Sequence, residues 1–525
     1  MSKRCAVACL LACLCLPGWV AARAQPRVEV TGTVHLEQDG RAGRGAGEPG
    51  IAGVLVSDGE QLVRTDAHGR YRLQARAGAV LFVVKPGSYR FVTGADGLPA
   101  FWSRVPGHGG GFQADFALAA GLADEAAAPF DVLVFADTQV KDERDIDYYR
   151  RGVVGPLGRP QAALGMTLGD LVDDRTDLYP ALNAVTTQLG VPWLHVPGNH
   201  DLDPGAGTDA GSLGEWSRVY GPDTYAVEEG AASFVLLDNV VATPGQGPGY
   251  AGGLREDQFR FLERYLAQLP RGRLLVLGMH IPLFDSGGRA GFSATDRERL
   301  FALLRDQPQV LVLSGHNHTQ RHYWHGQAEG WAGGSPLHEY NVGAVCGAFW
   351  SGAPDARGIP DATMSDGTPN GHARLSVTAD GGYSLAYRPA RADGTDPAFT
   401  AAMALHAPKV LRRGAYPAWG VYANVFMGDA HTRVEYRIDD GPWKPMRRVE
   451  RPDPRLLLEN VADDLAPALR GYDRSPEATP STHLWRGALD TKLAAGTHRV
   501  EVRAFDRWQG EVVASTRYSL QEAQP

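Results

Sequence analysis

Leu164-Gly-Met-Thr-Leu-Gly-Asp-Leu-Val-Asp-Asp174 and Val191-Pro-Trp-Leu-His-Val-Pro-Gly-Asn-His-Asp201 follow one pattern: a short apolar run, then an abrupt polar ending. A short apolar run bounded by Gly or Pro fits a buried strand. Four more runs have this length: Phe130–Ala136, Ser233–Leu237, Leu274–Leu277 and Val310–Leu313. Three of them also end in ligand-type residues: Asp137-Thr138-Gln139, His280-Ile281-Pro282 and Gly315-His316-Asn317-His318. Helix-like stretches lie between the runs. Arg255–Leu269 has Glu256 and Asp257 in its first turn and Phe259, Leu262, Tyr265 and Leu266 at helical spacing. Strands alternating with helices predict an α/β core.

Open α/β sheets gather their ligands at the carboxyl ends of the strands. The five polar endings, spread from Asp137 to His318, are therefore expected to converge on one crevice. Their donors are oxygen and nitrogen without thiolate, which suits Mn, Fe, Zn or Co. Two such ions ~3.5–4 Å apart can activate a water and stabilise a leaving oxygen. A carboxylate must bridge them, and Asp170 is the candidate. Taken singly, Asp-x-Gln and Gly-Asp-x-x-Asp are common turns. The weight lies in five endings in this order, each after a strand. His195 reads as a packed strand residue. Asp173, Asp174 and Asp201 read as turn or supporting residues, and His322 and His325 as solvated. Trp324, Trp331, Phe349 and Trp350 read as core, with the lining of a pocket as the alternative. Gly358–Gly371 is too polar for core and reads as a loop beside the crevice.

The flanking regions have a different texture. Residues 1–24 read as a signal peptide: Lys3 and Arg4, an apolar run from Cys5 to Leu16, and Ala22-Arg23-Ala24 before the cleavage point. Leu10-Leu11-Ala12-Cys13 offers a rival reading, a lipidated Cys13. No other stretch is apolar and long enough to span a bilayer, which takes ~20 residues. A periplasmic or secreted protein is expected. Of five cysteines, only Cys346 lies beyond the leader, so an internal disulfide and a thiolate metal site are both excluded. Losing Lys3, Arg4 and Arg23 moves the formal charge from −8 to −11, which disfavours nucleic acid as a partner. Residues 25–122 read as a small β-sandwich with Asp-Gly and His-Gly turns. Gly121–Pro129 reads as a linker, 129–375 as the catalytic domain, and 380–525 as β-rich again, with strands at Arg433–Ile438 and Thr497–Ala504.

The order Asp-x-Gln, Gly-Asp-x-x, Gly-Asn-His-Asp, His, Gly-His-x-His resembles the calcineurin-like metallophosphoesterase superfamily. Gly50-Ile-Ala-Gly-Val-Leu-Val with Thr65-Asp-Ala-His-Gly-Arg-Tyr71 resembles the prealbumin-like domains of exported bacterial proteins. The resemblance implies a β-sandwich core with flanking helices and all-β accessory domains at both ends. It implies two divalent ions. Asp137, Gln139 and His318 would hold the first, Asp170 would bridge, and Asn199, His280 and His316 would hold the second. His200 would protonate the leaving alkoxide or stabilise the phosphoryl oxygens. Gln139 departs from the family's usual His. Asp173 stands where purple acid phosphatases carry Tyr, so no ferric-tyrosinate colour is expected.

No Gly-x-Ser-x-Gly elbow and no Gly-x-x-x-x-Gly-Lys-Ser/Thr loop occurs, which removes a serine hydrolase and a P-loop nucleotidase. The expectation is a phosphoesterase acting on a phosphorylated small molecule or phosphoprotein, with monoesters favoured. The alternatives are a phosphodiesterase and a non-catalytic envelope binding protein with a vestigial metal core.

Overall fold

The computed structural model describes residues 26–523 except 39–43, 46, 109, 122–127, 248, 271, 286–290, 393 and 418. The expected leader with Cys13, and most of the expected linker after Gly121, lie outside the described residues.

Two sheets form the central sandwich. The first runs Trp193–Val196, Leu164–Leu168, Phe130–Phe135, Gly371–Val377, Tyr383–Pro389. Its first three strands are parallel and the last two add antiparallel. The second runs Tyr225–Glu229, Ala232–Leu237, Leu274–Met279, Val310–Ser314, Leu337–Asn341, Arg321–His325. Its middle four strands are mutually parallel. All six predicted apolar runs are strands of these sheets. They are continuous in Val, Leu and Phe because parallel strands are covered on both faces. Gly278 marks the closest approach of the sheets: a Cβ there would lie 2.7 Å from Leu236 of its own sheet and 3.4 Å from Leu168 of the other.

The helix Glu256–Leu266 forms as its pattern predicts. Gln258 Oε1 accepts from the Arg255 amide at 2.7 Å, satisfying a group at the helix start, and Phe259, Phe261, Leu262 and Tyr265 are buried.

An N-terminal pair of four- and five-stranded sheets packs on the far edge of the core. Phe82 and Phe101 meet Tyr225 at 6.4 and 5.2 Å between ring centroids. The buried Lys85 ammonium donates to Glu228 O (2.7 Å) and Glu229 Oε2 (2.9 Å). A second pair of sheets, from Met403 onwards, packs beside the strand Arg321–His325. Its own apolar core centres on Met403, Val421, Val434, Trp485 and Val502. Tyr383–Pro389, expected at the head of this C-terminal part, is hydrogen-bonded into the catalytic sheet instead, so the C-terminal layers begin later.

Packing within the core and against the C-terminal part corrects three expectations. His325 is fully buried and bonds Glu339 at 2.7 Å. His322 is half-buried, stacked on Tyr340 and packed against Trp508, and burial pushes its pKa down to about 3. Neither is solvated. Gly358–Gly371 is a loop, as expected, but most of it is buried. Its polar groups find partners: Asp366 accepts from the amides of Gln320 and Thr368 and from His483. Of the four aromatics, Trp331 and Trp350 are core, Trp324 is half-buried against His338, and Phe349 is 44% exposed. Among the described residues no helix is long and apolar enough to cross a membrane.

Candidate metal centre

The strand ends deliver their side chains to one place. Asp170, His280 and His316, all buried, bring ligand atoms within 4.8 Å of one another. His280 Nε2 lies 3.1 Å from Asn199 Oδ1, 3.3 Å from Asp170 Oδ2 and 3.1 Å from His316 Nδ1. One ion bonded to each at ~2.0–2.2 Å would set its ligands roughly 3.0–3.4 Å apart, so these spacings fit a shared cation. The His280 tautomer is set by its other nitrogen, since Nδ1 donates to Leu168 O at 2.8 Å. His318 is fixed the same way: Nδ1 donates to Gly347 O at 2.6 Å, and Nε2 faces Asp137 Oδ1 at 3.5 Å.

The backbone is bent to achieve this. Asp137, Gln139, Asp170, His316 and His318 all have φ between 39 and 72°, a region non-glycine residues avoid. Such strain costs about 1–3 kcal/mol per residue and collects at functional sites. Gly169 and Gly315 follow from the same crowding: a Cβ on either would strike His280 or Asp137.

The electrostatics call for cations. Asp137 is fully buried, and its pKa is lifted to about 8, chiefly by that burial; the His280 charge opposes and the Asp170 charge adds. Burial also pushes Asp170 up, but the charge and hydrogen bond of His280 outweigh it and hold the carboxyl well below its usual range. Burial lowers His280, yet Asp170 outweighs it and raises the imidazole to about 9. Opposed shifts of this size in one crevice mark a functional site. The donor set, oxygen and imidazole only, suits hard to borderline divalent ions.

Gln139 is the exception among the seven candidate ligands. Its Nε2 donates to Asp173 Oδ1 at 3.3 Å and its Oε1 faces Cys346 Sγ at 4.0 Å. Its amide is held at the edge of the cluster. His200 is partly exposed, with Nδ1 3.0 Å from Asp174 Oδ1 and 3.3 Å from Asp173 Oδ1. Burial lowers its basicity, but Asp170, Asp174 and Asp173 outweigh that and raise it. Asp201, fully buried, accepts from Gly198 N (2.8 Å) and Leu171 N (3.1 Å), tying two ligand loops together. His195 packs on Tyr220 at 4.4 Å and serves the core.

Sequence reasoning missed the supporting residues. Asn239 Oδ1 accepts from the amides of His280 (3.1 Å) and Ile281 (3.0 Å), and Nδ2 donates to Ile281 O (2.6 Å). The signal was present: Asp238-Asn239 is the polar ending of the one run, Ser233–Leu237, for which none was assigned. Asn341 Nδ2 donates to Gly315 O. The segment 343–352 is bolted to the first motif through Val345 N to Ala136 O (2.8 Å), Cys346 N to Asp137 O (3.0 Å) and Trp350 Nε1 to Thr138 O (3.0 Å). It carries Phe349 onto His318 at 4.7 Å. Nothing in its composition announces that role.

Comparison with known proteins agrees with this geometry. The chain is 26% identical over 205 residues to a probable glycerophosphodiester phosphodiesterase of Arcobacter nitrofigilis, covering 36% of this chain and 71% of that protein. It is 31% identical over 138 residues to a probable cyclic nucleotide phosphodiesterase of Rhodopseudomonas palustris, covering 25% of this chain and 46% of that one. Purple acid phosphatase PPD1 from yellow lupin (Lupinus luteus) seeds aligns with a TM-score of 0.38 and 15% identity, over 71% of this chain and 68% of that one. Three family models match in succession: the N terminal of calcineurin-like phosphoesterase at residues 37–121, calcineurin-like phosphoesterase at 130–320, and the C terminal of calcineurin-like phosphoesterase at 339–511. With these models following one another from residue 37 to 511 and the five polar strand endings meeting in one buried crevice, the chain belongs to the calcineurin-like phosphoesterases, metal-dependent hydrolases of phosphoric esters.

Proposed function

We propose that this protein hydrolyses phosphodiesters at a two-ion centre and that it is exported. The observation that carries the reading is the buried trio Asp170, His280 and His316, with half-buried Asn199 against His280, beside a His200 held by two aspartates. Asp137 and His318, with Gln139 at the edge, would hold one ion. Asn199, His280 and His316 would hold the other, and Asp170 would lie between. Bound there, two divalent ions would supply an activated water and neutralise charge on the phosphoryl oxygens. Burial disfavours the protonated form of His200, but Asp170, Asp174 and Asp173 face it and favour that form more strongly. Its Nδ1–H is engaged by Asp174, so Nε2–H is the proton available to the leaving alkoxide. The Asp170 carboxylate also orients that loop, accepting from the His200 amide at 2.9 Å.

The sequence alone favoured monoesters. Both curated relatives are named phosphodiesterases, which supports the diester alternative for this chain. Turnover of 4-nitrophenyl phosphate and bis(4-nitrophenyl) phosphate, with manganese titrated, tests the choice. Faster hydrolysis of the diester is expected. Faster monoester hydrolysis returns the substrate class to monoesters, and no turnover of either with metal bound supports the non-catalytic binding protein.

A further inference from the structure

Beside the metal centre, between the Gly315–His318 turn and the C-terminal part, lies a groove of about 360 Å³. Phe284, Asn317, Arg321, Asp366 and Thr479 are among its lining residues. Asn317 sits between the candidate ligands His316 and His318 in the chain, so the groove borders the turn that carries them.

Arg321 is the groove's cation. Its guanidinium lies 4.5 Å from the Phe284 ring centroid and 4.9 Å from that of Tyr323. The two rings stack on each other at 5.1 Å, and the guanidinium lies beside that pair. Among the described residues it has no hydrogen-bonding or ion-pairing side-chain partner. Three other arginines that lie over rings here are paired: Arg299 with Glu256, Arg437 with Glu501, Arg503 with Glu435. Asp366, the acid in the groove, is already occupied by the Gln320 and Thr368 amides and His483. Burying this cation is costly, and Glu339 and Glu450 offset the cost only through space, without a hydrogen bond. A planar fork of N–H donors beside a stacked ring pair matches a carboxylate or phosphate.

We propose that Arg321 binds a second acidic group on the alcohol part of the ester whose phosphoryl group occupies the metal centre. The proposal rests on the phosphoesterase reading above and narrows its substrate class to esters with two anionic groups. Two residues, Thr319 and Gln320, separate His318 from Arg321, so their Cα atoms lie at most about 10 Å apart. The spacer between the two acidic groups is therefore a short one.

The test uses the full-length metal-loaded protein and two diesters with one leaving group: 4-nitrophenyl butyl phosphate and 4-nitrophenyl 3-carboxypropyl phosphate. The wild type should favour the carboxylate ester in kcat/KM by about tenfold, mainly through KM, as a charge-assisted hydrogen bond would give. Arg321→Gln should bring the ratio to about one while leaving the butyl ester unchanged. Arg321→Lys should keep part of the preference, which also shows that substitution here is tolerated. A wild type without preference, or an Arg321→Gln variant slowed equally on both esters, overturns the proposal. If neither ester turns over, the phosphoesterase reading fails. The ratio of their Kd values by calorimetry, wild type against Arg321→Gln, then decides the subsite by the same criterion.

Discussion

Asn239→Ala should damage the metal centre without touching a candidate ligand. Asn239 is fully buried and makes three hydrogen bonds of 2.6–3.1 Å to the backbone of His280 and Ile281. Truncation leaves two amides and one carbonyl there without these partners. A buried polar group left unsatisfied costs about 1–3 kcal/mol. Partial relaxation should bring the total to roughly 2–4 kcal/mol, or about 5–15 °C in the melting temperature of the catalytic core. The loop that aims His280 also loosens. Losing a partner that orients a ligand typically costs ~10–100-fold in metal affinity or activity. The assay pairs calorimetric melting with elemental analysis and turnover of bis(4-nitrophenyl) phosphate across a manganese titration. Lower stability, weaker metal binding and partial rescue by excess manganese are expected together. A variant that melts early but binds metal and turns over as the wild type does would refute the claim that Asn239 aims His280. An unchanged melting temperature would refute the hydrogen-bond argument itself.

Asp170→Asn keeps the shape of the one side chain placed between both ions but removes its charge; elemental analysis should show metal falling from about two per chain towards one or none, with activity near background. His200→Asn should slow alkyl esters by ~10²–10⁴-fold but 4-nitrophenyl esters far less, because a good leaving group needs no acid; equal losses would mean that His200 only orients phosphate. Burial lowers His195 to about 3 in the folded protein, below its unfolded value of about 6.5. Its contribution is therefore present above pH 6.5 and lost as pH falls below that, about 2 kcal/mol between pH 7 and 5. His195→Phe should correspondingly flatten the loss of melting temperature over that interval; an unchanged pH slope would show that His195 does not carry it.

Two kinds of information separate at this site. Sequence alone determined the central strands and the convergence of their endings. A buried parallel strand needs an unbroken apolar run, and a ligand must stand immediately after it, so both signals are local and survive in one dimension. His200, Asp170 and the Gly-His-Asn-His turn were legible for that reason. Tertiary structure alone decided what depends on distant segments. The Gln139 amide nitrogen is held by Asp173, 34 residues away, and His318 is aimed by a carbonyl 29 residues on. His322, His325 and the polar loop 358–371 read as surface because their composition is polar. His325 is buried by Phe301 and Glu339 of the core, His322 is half-buried under Trp508, and the loop is satisfied by the C-terminal part, as Asp366 is by His483 across 117 residues. Periodicity reports which face of an element avoids water, but not which distant chain will cover it. Burial of a polar residue is thus decided only when its partner arrives.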